Sequence, residues 1–183
     1  MKHHWYIHPN FFSKKEIKEL NKIIIDNKDE NWLDAPSDRA SKKCEVGMSQ
    51  YGSCKSILNK AVEYMYYVNN TVFGFNINNV TDYNRVFLNI YDSKNKSHYG
   101  FHYDGEPFSN PFTSKLTFLI NTSEEKYEGG EFMIYSSGEV EIKEFSKPGD
   151  ILIFPSFFFH AVKPVIKGIR KSVAMWGFGP HWR

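Results

Sequence analysis

Cysteine is scarce in this sequence, with only Cys44 and Cys54 among 183 residues. Two thiols with no metal-type partner beside them argue for a reducing cytosol rather than for a disulfide framework. Long apolar runs are absent as well. The N-terminal segment MKHHWYIHPN lacks the apolar stretch of a signal peptide, and no later segment approaches the length of a membrane span. We therefore expect a cytoplasmic protein with no membrane partner.

Neither sign of charge is in large excess, since 23 basic side chains face 21 acidic ones and leave a formal net charge of +2. This balance provides no bulk attraction to a polyanion, so no nucleic-acid partner is expected. Arginine is rare: the chain has four, at positions 39, 85, 170 and 183, against nineteen lysines. An arginine in such a chain can indicate a position where the planar guanidinium itself is needed.

The first part of the chain carries two helix patterns. Ser13 is a predicted N-cap with Glu16 three residues on, and an amphipathic stripe follows. A second helix is predicted from about Ser53 to Asn69, and one short strand around Cys44 to Met48 between the two helices.

From about residue 84 to residue 180, short runs rich in Val, Ile, Phe and Tyr alternate with turn residues. Eight runs are predicted strands: Asn84–Tyr91, Ser97–Tyr103, Lys115–Asn121, Glu131–Tyr135, Val140–Phe145, Asp150–Phe154, Phe157–Lys163 and Lys171–Gly177. Eight short strands after a helical part, about residues 1–80, are typical of an α+β double-stranded β-helix, or jelly roll, with the helices packed outside. We interpret the chain as a single domain, residues 1–183, with a barrel mouth that suits a ligand.

The segment SHYGFHYDGEPF carries two side chains that one metal ion would accept together. His102 and Asp104 are two residues apart, and on a strand both would project from the same face. Two imidazoles and one carboxylate on one face of Fe(II) leave its other positions open for substrate and oxygen. The pair alone fits equally well a histidine hydrogen-bonded to an aspartate on a solvated strand, because such pairs arise easily by chance.

A third metal ligand is available downstream. His160 follows Phe157, Phe158 and Phe159 on a predicted strand so apolar that an unpaired imidazole there would be costly. A metal ion is one partner for such a histidine, and a backbone carbonyl is the other. The three phenylalanines and Trp176 are predicted either to wall a dry pocket or to belong to the ordinary core.

Arg170 lies ten residues after His160, at the entrance to the last predicted strand. A hairpin joining these two strands would place the guanidinium on the barrel wall, deeper than the metal. There it could bind a carboxylate through two parallel hydrogen bonds. The alternative is a surface charge beside Lys167 and Lys171.

The order of these elements resembles the iron(II)- and 2-oxoglutarate-dependent oxygenases, in particular their prolyl-4-hydroxylase-like branch. The shared order is a tyrosine-containing strand, His-x-Asp, GGE, PGD, a histidine, and an arginine followed by x-Ser. The resemblance covers roughly Asn84 to Pro180 and is carried by the segments NIYDSKNKSHYGFHYD, YEGGEFMIY and KPGDILIFPS. It implies that His102, Asp104 and His160 hold Fe(II), and that Arg170 pairs with the distal carboxylate of 2-oxoglutarate.

The resemblance also implies a lining for the cosubstrate pocket. Tyr91 would line it, Ser172 would add a hydroxyl to the same carboxylate, and Trp176 would close the floor. Relatives often place a tyrosine on the strand after His-x-Asp, to assist with the distal carboxylate. The nearest position here is Phe118, with Thr117 beside it.

The activity implied is a dioxygenase that couples decarboxylation of 2-oxoglutarate to succinate with hydroxylation of an unactivated C–H bond. It would use O2, with ascorbate as a candidate reductant, on a peptide or small-molecule substrate, first of all a prolyl residue in a peptide or protein. One alternative is a related oxygenase acting on a free amino acid, another small molecule or nucleic acid. Another is a non-catalytic metal-binding jelly roll, but this alternative does not explain why Arg170 occurs at its spacing from His160. A zinc hydrolase is disfavoured because the sequence has no HExxH motif.

Substrate selection is assigned to residues and loops at the predicted mouth, because loops carry such choices on a shared scaffold. The candidate side chains are Arg85, Asn89, Tyr99 and Tyr103, the last alternating away from the predicted ligands. The candidate covering loops are Asp92–Ser97, Gly105–Ser114 and the stretch after Trp32, the second of them suited to a lid. No feature of the sequence indicates an oligomeric state.

Overall fold

The computed structural model describes residues 5–27, 42–104 and 112–182. Within these ranges the chain forms two α-helices and thirteen strands. Their order is β1 (Tyr6–His8), α1 (Lys14–Asp26), β2 (Lys42–Lys43), β3 (Glu45–Gln50), α2 (Tyr51–Val68), β4 (Arg85–Asp92), β5 (His98–His102), β6 (Thr113–Asn121), β7 (Glu128–Gly129), β8 (Phe132–Tyr135), β9 (Glu139–Glu141), β10 (Ile151–Pro155), β11 (His160–Val162), β12 (Val165–Lys167) and β13 (Ile169–Gly179). A π-helical turn, Asn69–Phe73, follows α2, and a 3₁₀ turn, Ser93–Asn95, follows β4.

Helix α1 begins with the capping box that the sequence predicts. The Ser13 backbone N–H donates to Glu16 Oε2 at 2.8 Å, and the Glu16 N–H donates to Ser13 Oγ at 3.3 Å. Two of the otherwise unpaired N–H groups at the helix start are thereby satisfied, which confirms the prediction. Among the described residues, no helix has the length and apolar character needed to cross a membrane.

Two antiparallel sheets form the body of the fold. The larger sheet has the order β1-β10-β6-β13-β4-β3, and the smaller has the order β2-β5-β11-β8-β9. Strands β7 and β12 pair separately. The predicted α+β jelly-roll class is confirmed, and the part predicted to be helical also contributes β1, β2 and β3. The two edge strands of the larger sheet, β1 and β3, come from this part.

Strand β6 is buried on both faces because each face meets its own apolar layer. Leu116, Phe118 and Ile120 belong to the layer between the larger sheet and the helices. Leu119 belongs to the layer between the two sheets, together with Phe132. This follows from the period of two along a strand. The space between the two sheets also contains the candidate site.

The strand predicted over Val140–Phe145 is shorter in the structure. Strand β9 ends at Glu141, because the chain turns there and the Phe145 N–H donates to Ile142 O at 3.0 Å. Both Ile142 and Phe145 are nonetheless buried between the sheets. The apolar character of these two residues therefore reflects their burial, and the prediction that they belong to a strand is wrong.

The strand predicted over Phe157–Lys163 begins only at His160. The Phe158 N–H donates to Pro155 O at 3.0 Å and closes a turn that precedes β11. Phe157 and Phe159 are 44% and 46% exposed. For these two rings both predicted alternatives, a dry pocket wall and the ordinary core, are wrong, because the turn directs both rings outward.

The predicted hairpin between the strands of His160 and Arg170 does not form. Strand β11 belongs to the smaller sheet and β13 to the larger one, with β12 and Gly168 between them along the chain. Gly168 has φ +74°, and a Cβ there would lie 2.8 Å from Lys126 O. The chain therefore crosses from one sheet to the other at a glycine, and Arg170 and His160 come from opposite sheets.

Candidate active site

His102, Asp104 and His160 come together at one end of the smaller sheet. His102 ends β5 and is paired with His160 at the start of β11. Nε2 of His102 lies 3.7 Å from Asp104 Oδ1, and Nε2 of His160 lies 3.6 Å from Asp104 Oδ2. One possible ligand atom from each residue lies within 4.8 Å of the other two, and no other such group of three occurs among the described residues.

Backbone carbonyls orient both imidazoles. His102 Nδ1 lies 2.9 Å from Gly100 O, and His160 Nδ1 lies 2.9 Å from Phe158 O. A carbonyl oxygen only accepts, so each Nδ1 carries a proton, and in the neutral form of the ring Nε2 presents a lone pair towards Asp104. Histidines that bind metals usually have this arrangement. The turn that shortens β11 thus also supplies the carbonyl that orients His160.

Four atoms face one another here, the two Nε2 atoms and the two oxygens of Asp104, and their distances bear on the alternatives left open by the sequence. Distances of 3.6 and 3.7 Å exceed those of hydrogen bonds, so neither histidine is simply hydrogen-bonded to Asp104. The side chains are only 5 to 14% exposed, which limits solvation of the converging lone pairs. A cation between them could bind all three side chains, and the nitrogen and oxygen donors suit a divalent first-row metal.

Tyr99 supports one of these imidazoles. Its ring stacks on that of His102 with centroids 3.6 Å apart and an interplanar angle of 14°. Burial raises the pKa of Tyr99 to about 12, so its phenol is neutral at physiological pH. The sequence suggested Tyr99 as a substrate contact, and the structure places it on the cavity wall against a predicted ligand.

Arg170 lies across the cavity, on β13 of the larger sheet. It is 1% exposed, its Cζ lies 5.2 Å from the centroid of the Tyr91 ring, and its Nη1 donates to Ser172 Oγ at 3.2 Å. Its buried Nε has no hydrogen-bond partner, and no carboxylate of the described residues forms an ion pair with it. A buried charge without a counter-charge is costly, so this position favours an anionic ligand.

Two neighbours complete the Arg170 end of the cavity. Burial, together with the adjacent Cys44 thiol, raises the pKa of Tyr91 well above its ordinary value, so its phenol adds no negative charge. The Trp176 indole Nε1 is likewise buried without a partner among the described residues. Both unpaired donors, Arg170 Nε and Trp176 Nε1, belong to side chains that line the same cavity.

The cavity between the sheets has a volume of about 210 Å³. Its lining includes all seven side chains predicted for the metal and cosubstrate sites, which are Tyr91, His102, Asp104, His160, Arg170, Ser172 and Trp176. Asn89 and Tyr99 also line it. The rest of the lining is apolar and was not predicted from the sequence: Phe87, Leu119, Phe132, Val162 and Ala174. A strand alternation counted from His102 and Arg170 could have identified some of these positions.

Phe118, the position that the sequence compares with the tyrosine of relatives, faces away from the cavity. Phe118 is fully buried against the helices, on the opposite face of β6 from the cavity. Leu119 lines the cavity instead. Phe118 therefore does not contribute to the cavity wall.

Other predicted mouth residues lie elsewhere. Arg85 is exposed and does not line the cavity, and Tyr103 is 58% exposed with its ring 5.7 Å from that of Phe159. The loop Asp92–Ser97 lies at the opposite end of β5 from His102, where the Ser93 N–H donates to Gly168 O. Residues 105–111 of the predicted lid and residues 28–41 after the first helix lie outside the described residues.

Sequence comparisons place these elements in a known family. A model described as the 2OG-Fe(II) oxygenase superfamily matches residues 86–178, just over half of the chain. A PKHD-type hydroxylase of Synechococcus sp. (strain CC9605) is 41% identical over 80 residues, which are 43% of this chain and 35% of that protein. The PKHD-type hydroxylase YbiX of Escherichia coli O1:K1 is 34% identical over 89 residues, 45% of this chain and 39% of that protein. The chain thus aligns with little more than a third of the length of these curated relatives.

Solved structures share the fold. A Pseudomonas putida prolyl-4-hydroxylase superposes with a TM-score of 0.71 at 14% identity, covering 99% of this chain and 95% of that one. The viral collagen prolyl hydroxylase of Paramecium bursaria Chlorella virus-1, in its 2-oxoglutarate complex, gives a TM-score of 0.67 at 16% identity and covers 97% of both chains. The family match, which spans β4 to β13 and thus every strand that lines the cavity, shows that this chain belongs to the 2OG-Fe(II) oxygenase superfamily.

Proposed function

We propose that this protein is an Fe(II)- and 2-oxoglutarate-dependent dioxygenase that hydroxylates a prolyl residue in a peptide or protein. The observation that carries the proposal is Arg170, a buried guanidinium without a carboxylate partner among the described residues. It faces the same cavity as His102, Asp104 and His160. A 2-oxo dicarboxylate has one carboxylate for such an arginine and a keto acid end for a metal.

The residues present fit both groups. Two imidazole nitrogens and one carboxylate oxygen form the donor set of a facial triad, which leaves other metal positions open. The unpaired Arg170 Nε fits a carboxylate oxygen. When bound, Fe(II) and 2-oxoglutarate supply the oxidising chemistry, in which O2 is consumed and 2-oxoglutarate becomes succinate and carbon dioxide.

The protein's own side chains would bind, orient and exclude water. Arg170 would hold the distal carboxylate, with its guanidinium kept in place by Tyr91 below and Ser172 beside it. The carbonyls of Gly100 and Phe158 would keep both imidazoles in the tautomer that leaves Nε2 unprotonated. The apolar lining would keep water from the reacting groups, as side chains of this kind do in closed sites.

The choice of a prolyl substrate is supported by the named relatives. The fold neighbours include a prolyl-4-hydroxylase, and the two PKHD-type relatives are hydroxylases by name. A Trichoplax adhaerens prolyl hydroxylase, in complex with a peptide fragment of hypoxia inducible factor, shares the fold with a TM-score of 0.68 at 18% identity, covering 97% of this chain and 84% of that one. Exposed rings of Tyr103 and Phe159 near Asp104 add the kind of aromatic surface on which proline-containing segments dock.

Mass spectrometry tests this proposal directly. Purified protein is incubated with Fe(II), 2-oxoglutarate, O2 and a set of proline-containing peptides, in parallel with free amino acids. We expect one peptide proline to gain a single oxygen atom, with an equivalent amount of succinate. A reaction without 2-oxoglutarate is the control. Oxygen gained only by a free amino acid would overturn the prolyl assignment, and no succinate under any condition would overturn the activity.

Gly130 offers a separate test of the cosubstrate end. It has φ +67°, and a Cβ there would lie 2.8 Å from Arg170 Cδ and 3.0 Å from Val165 Cγ2. Gly130→Ala is therefore expected to displace the Arg170 stem and to raise the Kd for 2-oxoglutarate by about tenfold, or about 1.4 kcal/mol. Calorimetric titration of the Mn(II)-loaded protein with 2-oxoglutarate measures this, and Mn(II) affinity is expected to stay near that of the wild type.

Gly74→Ala is the matched control. Gly74 has φ +70°, so an alanine there bears similar backbone strain, but its Cβ would meet nothing within 4 Å. We expect it to lower stability while leaving 2-oxoglutarate affinity unchanged. Equal loss of affinity in both variants would show that backbone strain, and not the contact with Arg170, is responsible.

A further inference from the structure

Asp104 is hydrogen-bonded to a hydroxyl that the proposed function does not use. Thr117 Oγ1 donates to Asp104 Oδ2 at 2.7 Å, and Ser156 Oγ lies 2.9 Å from Thr117 Oγ1. Thr117 and Ser156 are both completely buried. Neither residue lines the cavity, so both contact Asp104 from the side that faces away from the cavity.

The direction of these hydrogen bonds follows from the donors available. An ionised carboxylate only accepts, so the single hydroxyl proton of Thr117 is committed to Asp104. Thr117 Oγ1 can then only accept from Ser156, whose hydroxyl is the donor. The result is a directed chain from Ser156 through Thr117 to one oxygen of Asp104, in a buried setting where such chains are strengthened.

The turn after β10, which carries Ser156, also fixes the Asp104 backbone. The Asp104 N–H donates to Ser156 O at 2.9 Å, and the Ser156 N–H donates to Lys115 O at 3.0 Å. Asp104 lies two residues beyond the end of β5, so it has no strand partner of its own. Its carboxylate is therefore held by β6 and the turn after β10, and not by the strand that carries His102.

We propose that Thr117, supported by Ser156, is a positioning residue that makes Asp104 bind the metal through one oxygen only. The hydroxyl engages Oδ2 and opposes the rotation that would bring both oxygens onto the ion. The other oxygen, Oδ1, stays available 3.7 Å from His102 Nε2. One-oxygen binding leaves a metal position open that a chelating carboxylate would fill. This inference rests on the proposed function, because it assumes a metal between the three side chains.

Metal affinity and the absorption spectrum of the Co(II) form test the inference without turnover. Thr117→Val keeps the shape of the side chain and removes the hydroxyl. We expect its Kd for Co(II) to rise by about 10- to 100-fold, the usual effect of removing a group that supports a metal ligand. We also expect the visible Co(II) bands to change, because a freed carboxylate alters the coordination. Thr117→Ser restores the hydroxyl and should recover the wild-type affinity and spectrum.

Thr122→Val is the matched control. Thr122 is also completely buried, but its Oγ1 has no hydrogen-bond partner among the described residues. The same substitution there should leave Co(II) affinity and spectrum unchanged. Should Thr117→Val fail to fold, Ser156→Ala decides the question, because it keeps the Thr117 hydroxyl but removes its donor. A smaller loss of affinity is expected for it than for Thr117→Val.

The outcomes separate the inference from the function on which it rests. If wild-type protein binds Co(II) and neither Thr117→Val nor Ser156→Ala changes affinity or spectrum, the role of Thr117 is wrong and the proposed function is untouched. If the wild type binds no Co(II), or if Asp104→Ala binds it equally well, the metal site itself is wrong. A spectrum that Thr117→Ser fails to restore would also overturn the role of the hydroxyl.

Discussion

Asp104→Ala is expected to reduce succinate release to background in a mixture of protein, Fe(II), 2-oxoglutarate and O2 without a further substrate. The wild type should release succinate slowly under the same conditions. Asp104 lies between His102 and His160, with one oxygen facing each Nε2. Its removal leaves the two imidazoles and no carboxylate donor. Because the loss of a supporting group alone lowers metal affinity by about 10- to 100-fold, the loss of a ligand should exceed this range.

Asp82→Ala is the control for that measurement. Asp82 is an exposed aspartate that pairs with Lys55 at 2.9 Å on the protein surface, and it does not line the cavity. Surface pairs of this kind contribute about 1 kcal/mol or less to stability, so the variant should fold and release succinate like the wild type. Undiminished succinate release by Asp104→Ala would show that Asp104 is not a metal ligand.

Arg170→Lys is expected to raise the Kd for 2-oxoglutarate by about 10- to 100-fold, because hydrogen bonds between charged groups contribute about 1.5–3 kcal/mol. The ammonium keeps the charge but cannot form two parallel hydrogen bonds to one carboxylate. The lysine also loses the planar group that lies over Tyr91 and the donor that reaches Ser172 Oγ. Calorimetric titration of the Mn(II)-loaded variant measures the effect. Mn(II) affinity should change little, because Arg170 lies on the opposite sheet from the histidines.

Arg85→Lys provides the same substitution outside the cavity. Arg85 is exposed at the start of β4, so its replacement should leave 2-oxoglutarate affinity as in the wild type. Equal 2-oxoglutarate affinity in Arg170→Lys and the wild type would remove Arg170 from its role. A parallel loss of Mn(II) affinity would instead indicate that the whole cavity is disturbed.

Much of the site could be predicted because strand periodicity and side-chain chemistry agree. His-x-Asp puts two donors near one spot, and Arg170, Ser172 and Trp176 share a face of β13 since they are an even number of residues apart. Periodicity does not say to which sheet a strand belongs. The predicted hairpin failed for that reason, because a crossing at Gly168 separates β11 from β13.

Other features depend on packing that the sequence does not display. Strand β6 alternates between an apolar face, with Leu116, Phe118 and Ile120, and a mixed face, with Thr117 and Leu119. The alternation alone does not say which face meets the helices and which meets the cavity. Strands β2 and β7 are two residues long and are defined only by their partners. The hydrogen bonds of the Thr117 hydroxyl could not be predicted either, because its partners Asp104 and Ser156 are distant in sequence.

The division of the cavity between two sheets has a consequence for how the molecule holds together. The imidazoles belong to one sheet and the guanidinium to the other. A metal ion held by the histidines and Asp104, together with a dicarboxylate held by Arg170, would therefore link the two sheets. Arg170 provides a positive charge on one wall of the cavity, and His102, Asp104 and His160 provide donor atoms for a metal on the other. Binding of these ligands to the folded protein alone would therefore raise its free energy of unfolding, by an amount that grows with ligand concentration.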